Sequence, residues 1–221
     1  MFFVDSDSPT LRRGVLHVGI FAGFPPFAYR KEGKLAGSEI ELLSKFAESE
    51  DWTLNFTLQP FEGLWDRVGD DAFDIAAAGI SKLKGRDSMW SEPHAEVRRS
   101  VLVLDRNKPS IQDYADIHRI AVVPGSAAHA HALKHLQHRS AILGVNSLEE
   151  GIGLLLDGSV EAVGTGSVSA AHQARTRPGL ATLDVHRPNE RVEEIAFAVR
   201  NNPLLLHKIN QFILGLKTPQ I

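Results

Sequence analysis

The chain has 221 residues, of which 43% are hydrophobic, and it carries 24 basic and 27 acidic side chains. This length suits one large domain or two small ones, and the hydrophobic content is sufficient for a packed core. The net charge of -3 and the lack of a basic face argue against nucleic acid as a partner. The absence of cysteine excludes disulfides, cysteine metal ligands and a thiol nucleophile.

The sequence contains no apolar stretch that approaches the roughly 20 residues of a membrane-spanning helix. The run Met1–Val4 is shorter than the core of a signal peptide, and Asp5 and Asp7 follow it directly. We therefore expect either a cytoplasmic protein or the mature part of an exported one.

The first half of the chain alternates between predicted strands and helices. The predicted strands are Val15–Phe21, Thr53–Leu58 and Phe73–Ala78. Apolar residues at helical spacing predict a helix from Glu39 to Glu50 with Ser38 as its N-cap, and a short helix spans Phe61–Val68. This alternation is typical of an α/β fold with a mostly parallel sheet.

The second half repeats the pattern, and we interpret the polar segment Asp105–Ser110 as a linker. Its predicted strands are Ser100–Leu104, Arg119–Val123, Ala141–Val145, Val160–Val163 and Glu194–Val199. Helices are expected over Ala127–His138, after Ser147, which has capping-box spacing with Glu150, and from Asn201 to about Leu216. Two such cycles predict two α/β lobes with a cleft between them.

Polar residues follow the predicted strand Phe73–Ala78. Gly79 ends the strand, Ser81 supplies a hydroxyl, and Arg86 follows. A guanidinium offers a planar fork of donors that matches two carboxylate oxygens, and glycine lets the backbone approach closely. A single arginine is usually exposed, but this combination predicts a carboxylate-binding segment.

A series of short motifs gives the sequence a family resemblance. They are Val18–Tyr29 with its PPF loop, Leu35–Leu42, Phe61–Leu64, Phe73–Ser81 with Arg86, Ser91–Pro93, Val123–Ser126 and Glu193–Arg200. In this order, over about residues 13–214, they resemble the type 2 periplasmic solute-binding proteins. The branch that they resemble is the bacterial extracellular solute-binding family 3, whose members bind polar amino acids.

The resemblance implies a two-lobe α/β fold of the periplasmic-binding-protein type 2 class, with a hinged interlobe cleft for the ligand. Lobe 1 would contain residues 1–106 and 189–221, and lobe 2 residues 107–188. The implied function is a periplasmic or extracytoplasmic solute-binding protein for a small polar carboxylate. Its partner would be an ABC-transporter permease or, for a sensor domain, a covalently attached receptor module; a monomer without cofactor or metal is expected.

The resemblance also implies which residues bind the ligand. The matching positions are Phe24, Phe61, Ala78, Gly79, Ser81, Arg86, Ser126, Ala127, Thr165 and Gly166. Phe24 and Phe61 would cover the ligand, although a phenylalanine is more often a core residue. Arg86 would bind the carboxylate, and Ser126 and Ala127 would supply amides at a helix N-terminus, which favours an anion.

The sequence departs from the family pattern at the other end of the ligand. Relatives have an aspartate after the strand that corresponds to Val160–Val163, and it pairs with the ammonium group of the ligand. Gly166 stands at that position here, and Phe21 occupies the end of the first strand, where an acidic residue is also absent. Because an unpaired buried ammonium is costly, a carboxylate without a free amine is favoured over an ordinary amino acid.

Two other functions compete with solute binding. Some proteins of this fold are cyclohexadienyl dehydratases, which act on prephenate or arogenate and need a positioned acid. Glu39, Glu92 and Glu161 are the candidate acids, but the sequence places none of them at a defensible position. A cytoplasmic transcriptional effector domain is the third reading, and the helix-turn-helix that accompanies such domains is missing.

Several histidines lie close together in the second half. His131 and His135 are four residues apart, with His129 and His138 nearby. Two imidazoles at this spacing can bind one metal ion, but no cysteine or carboxylate is in register with them. The segment is therefore interpreted as a polar helix face.

Overall fold

The computed structural model describes residues 8–70 and 72–217, so the Met1–Val4 run and Ile221 lie outside the described residues. Within those ranges, none of the helices is both long and apolar enough to cross a bilayer. The chain divides into two compact units. The described residues of unit 1 are 8–22, 27–70, 72–96 and 194–217, and those of unit 2 are 23–26 and 97–193.

Strands and helices alternate along both units, which confirms the predicted α/β class. The strands are β1 (Val15–Ile20), β2 (Gly23–Phe24), β3 (Ala28–Lys31), β4 (Lys34–Ala36), β5 (Thr53–Leu58), β6 (Ile75–Ala77), β7 (Met89–Trp90), β8 (Ala95–Val97), β9 (Arg99–Leu104), β10 (Arg119–Val122), β11 (Ala141–Gly144), β12 (Ala162–Gly166), β13 (Leu180–Asp184), β14 (Glu193–Ile195) and β15 (Ala198–Val199). The α-helices are α1 (Ser38–Ser49), α2 (Ala127–Leu136), α3 (Leu148–Leu156), α4 (Ser167–Thr176) and α5 (Pro203–Lys217).

Unit 1 is built on a five-stranded sheet in the order β5-β1-β6-β15-β7. β1 is parallel to β5 and β6, whereas β15 is antiparallel to β6 and β7. Buried side chains from β1, α1 and α5, such as Leu16, Phe46 and Ile209, form its core. Because Ile20 pairs with Ala77, the segments that follow β1 and β6 leave the sheet at the same edge.

Asp74 fastens the start of β6 to the preceding part of unit 1. Its side chain is fully buried and accepts hydrogen bonds from the amides of Leu11 and His17, at 2.6 and 2.9 Å. Burial raises the pKa of this carboxyl, and the two amide hydrogen bonds oppose the shift. The Asp74 carbonyl also accepts from the Arg200 amide at 3.0 Å, so one residue links three separate segments.

Replacing Asp74 with alanine is expected to lower the free energy of unfolding by about 3 kcal/mol, because two amide groups lose their acceptor in a buried site. Urea denaturation of the purified variant measures this loss. Asp87→Ala, which removes an exposed acidic side chain, is the matched control and should change stability by less than about 0.5 kcal/mol. Equal effects of the two substitutions would contradict the assigned role.

Unit 2 contains a second five-stranded sheet, in the order β11-β10-β12-β9-β13. β10 is parallel to β11 and β12, whereas β9 is antiparallel to β12 and β13. Ile120 and Val122 of β10 pack with Ala132 and Leu136 of α2 in its core. Since β10 and β12 are adjacent and parallel, α2 and α4 begin at the same edge of the sheet.

The unit boundaries differ from the predicted lobe boundaries. β9 was expected in lobe 1 but belongs to unit 2, because it forms the ladder between β12 and β13. The expected linker Asp105–Ser110 is a tight turn, and its Asp105 amide donates to the Gly179 carbonyl at 2.8 Å. Unit 2 also extends beyond residue 188, to Glu193.

Several local predictions also need correction. Ser38 is the first residue of α1 and Gly37 is the N-cap, without a side-chain hydrogen bond. The helix predicted over Phe61–Val68 is reduced to a 3-10 turn at Asp66–Val68. α4 and β13 were not predicted. α4 has few apolar residues, so its sequence does not show the helical hydrophobic period. The Ser147 cap is confirmed, since its hydroxyl accepts from the Glu150 amide at 3.1 Å.

Candidate functional site

Arg86 is buried in unit 1, with 8% of its surface exposed. One terminal nitrogen of its guanidinium donates to the Ser81 carbonyl at 2.7 Å. Its central carbon lies 3.8 Å from the centroid of the Trp65 ring. A cation held over an aromatic face in this way is stabilised by the ring quadrupole, so the arginine is oriented before any ligand arrives.

Two aromatic rings, Phe61 and Trp65, lie next to this guanidinium, and Phe21 packs against Phe61. Phe61 packs edge-on against Phe21 and Trp65, at centroid distances of 5.5 and 5.8 Å. The Arg86 guanidinium lies 5.9 Å from the Phe61 ring, so the structure brings together two of the predicted site residues. Trp65 was missed by the sequence analysis, although its spacing of four residues from Phe61 is a signal that could have found it.

Ser81 lies beside Arg86 and is 4% exposed. It forms an isolated β-bridge with Ile195, which fixes its backbone. Within the part of the chain that the structure describes, the Ser81 hydroxyl makes no hydrogen bond, whereas its carbonyl is bound by Arg86. The hydroxyl can therefore still donate to an added carboxylate.

Gly79 is held within the fold through its amide. Its amide donates to both carboxylate oxygens of Glu39, at 3.0 Å each, so this amide is already used within the fold. Its φ angle is +63° and an added Cβ would lie 2.8 Å from the Phe27 ring, which explains the need for glycine. Ala78, directly before it, is fully buried.

Glu39 is a fully buried carboxylate at the start of α1. Besides the Gly79 amide, it binds Nε2 of His94 at 2.9 Å. The His94 ring in turn stacks on Phe197, with centroids 4.4 Å apart. Each Glu39 oxygen thus has a partner from the protein, and the residue fixes the turn that carries Gly79 toward Ser81.

In unit 2, the predicted site residues lie at the edge where α2 and α4 begin. Ser126 caps α2, and its hydroxyl accepts from the His129 amide at 3.1 Å. A methyl group added to Gly164 in β12 would lie 3.4 Å from Cβ of Ala128, so the first turn of α2 packs against β12. Ser126 and Ala127 directly precede Ala128, and Thr165 directly follows Gly164 in β12.

Gly166 is the N-cap of α4, and a buried arginine lies beside it. An added Cβ on Gly166 would lie 3.4 Å from Nη2 of Arg99. Arg99 is 6% exposed, and its Nε lies 2.8 Å from Oε1 of Glu193. Burial lowers the pKa of Arg99, and the neighbouring Glu193 opposes that shift. The sequence analysis missed this ion pair because its members are far apart in the chain.

The two helix N-termini give this edge a positive character. The helix dipole places partial positive charge at the start of α2 and α4, and no acidic residue occupies the first turn of either helix. The Ser167 amide of α4 already donates to the Arg98 carbonyl at 2.9 Å. The Arg99 side chain adds a guanidinium, whose charge Glu193 balances.

Phe24, in β2 and also within unit 2, is buried, with 8% of its surface exposed.

The family model for bacterial extracellular solute-binding proteins, family 3, matches residues 16–220 of the chain. The chain belongs to this family. The match confirms the resemblance and the predicted solute-binding function, since it spans the described parts of both units.

Individual proteins are similar to this chain over most of its length. A cyclohexadienyl dehydratase of Pseudomonas aeruginosa is 25% identical over 83% of this chain and 71% of its own. A probable histidine-binding protein of Neisseria gonorrhoeae is 25% identical over 89% of this chain and 75% of its own. The crystal structure of an amino acid ABC transporter substrate-binding protein from Streptococcus pneumoniae superposes with a TM-score of 0.86, at 23% identity, over 92% of this chain and 88% of that one, which shows the fold.

Proposed function

We propose that this protein is the receptor of an ABC transporter, or the sensor domain of a larger protein, and that it binds a small carboxylate without a free α-ammonium group. The observation that carries the proposal is the state of Arg86: buried, anchored to the Ser81 carbonyl and stacked on Trp65. Charge-assisted, bidentate hydrogen bonds from such a guanidinium bind carboxylates strongly.

Unit 2 supports the anionic character of the ligand. At the start of α2, the Ala127 amide suits an anion, whereas the Ser126 amide already donates to the Val123 carbonyl at 3.1 Å, so Ser126 would contribute through its position as N-cap. Thr165 and Gly166 would contribute at the start of α4, where Gly166 allows a close backbone approach. In unit 1, Phe61 would contact the ligand beside Arg86, and Phe24 of unit 2 would supply the second ring.

Gly166 supports the exclusion of an α-ammonium group. The family resemblance places an ammonium-pairing aspartate at this position, and here the neighbouring side chain is the guanidinium of Arg99. An ammonium at this position would therefore meet a like charge, and the carboxylate beside that guanidinium, Glu193, is already engaged by Arg99. Leaving an ammonium without a partner costs about 1–3 kcal/mol, and this corresponds to roughly a 5- to 150-fold loss of affinity.

Relatives supply the proposed setting. One similar solved structure is that of an amino acid ABC transporter substrate-binding protein, and the family consists of bacterial extracellular solute-binding proteins. We therefore place this protein in the periplasm or another extracytoplasmic compartment, as a monomer that delivers its ligand to a membrane permease or signals its presence to a receptor module.

A thermal-shift screen of the purified protein tests this function. The ligands are standard α-amino acids, 2-keto acids, dicarboxylates and aromatic carboxylates, each at a concentration of about 1–10 mM. A carboxylate that binds the native state raises the melting temperature by mass action. We expect shifts from amine-free carboxylates; no shift from any carboxylate would contradict the proposal.

Replacing Gly166 with aspartate is expected to shift the preference toward α-amino acids. Aspartate is a favourable N-cap for α4, and its carboxylate would offer the ammonium a partner. Calorimetry should show affinity for L-histidine or L-arginine increasing at least tenfold, a difference of about 1.4 kcal/mol. Gly153→Asp, on the exposed face of α3 with open space around it, is the control; an equal effect of both variants would contradict the role of position 166.

A dehydratase is the second candidate, because a relative with that name is 25% identical over most of the chain. Of the candidate acids, Glu39 is bound by Gly79 and His94. Glu161 accepts from the amides of His118 and Arg119, at the start of β10 and away from Gly166. Glu92 donates its amide to Asn210. Product formation from prephenate that is lost in one of three Glu→Gln variants would favour the enzyme over the binding protein.

A further inference from the structure

His131 and His135 of α2 converge on Glu190, a carboxylate from the segment that precedes β14. Nε2 of His131 lies 3.1 Å from one Glu190 oxygen, and Nε2 of His135 lies 3.0 Å from the other. One ligand atom from each of the three residues lies within 4.8 Å of the others. The sequence analysis weighed the two histidines without a carboxylate, because Glu190 is more than 50 residues away in the chain.

We propose that His131, His135 and Glu190 form a binding site for a divalent transition-metal ion, of which Zn²⁺ is the type. Two imidazoles and one carboxylate are a ligand set that zinc uses in proteins, with a fourth position left for water. Imidazole ligands favour Zn²⁺, Ni²⁺ or Cu²⁺ over Mg²⁺ and Ca²⁺, which prefer oxygen. None of these three side chains is among the residues proposed to bind the carboxylate ligand, so the metal site can be tested separately from it.

The present distances suit a tetrahedral ion with small adjustments. Ligand atoms at about 2.0–2.1 Å from zinc are separated from one another by about 3.3 Å. The two nitrogen–oxygen distances are already within a few tenths of an ångström of that value. The two imidazole Nε2 atoms would also have to lie about 3.3 Å from each other. The ring centroids of His131 and His135 are 4.5 Å apart, so a rotation of either ring can bring these nitrogens together.

The backbone also orients the carboxylate. The Arg187 amide donates to the Glu190 oxygen that faces His131, at 3.1 Å, as an outer partner of a metal ligand would.

Other side chains contact the three proposed ligands or lie close to them. Lys134 donates to Glu190 at 3.0 Å, but its side chain is 64% exposed and can turn into solvent. Tyr114 packs against the His131 ring with centroids 5.0 Å apart. Arg99 is the nearest buried cation, and Glu193 balances its charge. A metal ion would replace the hydrogen-bonded protons between the imidazoles and the carboxylate.

Titration of the untagged, chelator-treated full chain with ZnCl₂ tests the site. Calorimetry should show one Zn²⁺ per chain, and Zn²⁺ should raise the melting temperature whereas Mg²⁺ should not. His135→Asn, at a half-buried position, should weaken this binding at least 100-fold. His138→Asn, which removes an exposed histidine just after the same helix, and His207→Asn in α5 should leave it unchanged.

Further measurements distinguish loss of the metal site from loss of folding. The circular dichroism and melting temperature of His135→Asn in chelator should match those of the unmodified protein, and the visible spectrum of bound Co²⁺ should be lost in this variant and retained in His138→Asn. Stoichiometry that falls equally in all three variants would show adventitious binding to surface histidines and overturn the proposal. Absence of Zn²⁺ binding to the unmodified chain would overturn it as well.

Discussion

Replacing Arg86 with methionine is expected to weaken binding of the carboxylate ligand at least 100-fold, or about 2.7 kcal/mol. Methionine keeps much of the length and the contact with Trp65 but removes the donors that pair with two carboxylate oxygens. Hydrogen bonds to charged groups contribute about 1.5–3 kcal/mol each, so the loss of two accounts for the whole effect. Calorimetry with the carboxylate that gives the largest thermal shift measures it.

Two further variants make the Arg86 result specific. Arg86→Lys keeps the charge but loses the planar fork, and we expect an intermediate affinity. Arg106→Met removes an exposed arginine of unit 2 and should leave the affinity unchanged. Arg86 is buried, so the melting temperature of each ligand-free variant must be measured as well. A folded Arg86→Met protein that binds with unchanged affinity would refute the role of this residue.

Replacing Glu39 with alanine is expected to cost about 3 kcal/mol of unfolding free energy. The substitution removes the acceptor of the Gly79 amide and of His94 Nε2, and leaves both groups in a buried site. It also leaves a cavity where the fully buried side chain was. Because Gly79 carries the chain from β6 toward Ser81, we expect ligand affinity to fall along with stability.

Glu39→Gln and Glu41→Ala complete that experiment. Glutamine keeps one acceptor for the Gly79 amide and should recover about half of the lost stability. Glu41 lies in the same first turn of α1 but is exposed, and its removal should change stability by less than about 0.5 kcal/mol. Urea denaturation of the four proteins gives the comparison. A Glu39→Ala protein as stable as Glu41→Ala would contradict the assigned contacts.

The local chemistry of the site was visible in the sequence because its members are close together in the chain. Gly79, Ser81 and Arg86 follow one strand, and the structure does place the Ser81 carbonyl on the Arg86 guanidinium. The apolar runs that became β1, β5 and β10 were predicted within one residue of their observed bounds. Periodicity and turn residues are sufficient for features of this range.

Contacts between distant segments were not visible, and they changed the interpretation. The Gly79 amide donates to Glu39, which is 40 residues away, so this amide is already engaged within the fold. Arg99 lies beside Gly166, and Glu190 lies between His131 and His135. No spacing rule predicts such pairs, because β9 enters its sheet between two later strands.

α4 shows a different limit. The helix Ser167–Thr176 buries Ser169, Ala170 and Gln173, and much of its buried face is therefore polar or small. The hydrophobic period that reveals a helix is absent from such a segment. The glycines before it gave the sequence the pattern of a loop, although Gly166 is the residue at which the helix begins.

The most direct test of the account is a calorimetric comparison of matched ligands that differ only in the α-amino group. L-glutamate is paired with glutarate, L-histidine with imidazolepropanoate, and L-arginine with 5-guanidinopentanoate, each titrated into the unmodified protein and Arg86→Met. We predict that in the pair that binds, the amine-free member binds at least tenfold more tightly, a difference of about 1.4 kcal/mol, and that Arg86→Met weakens its binding at least 100-fold. Tight binding of the amino acid with none of its amine-free partner would contradict the account.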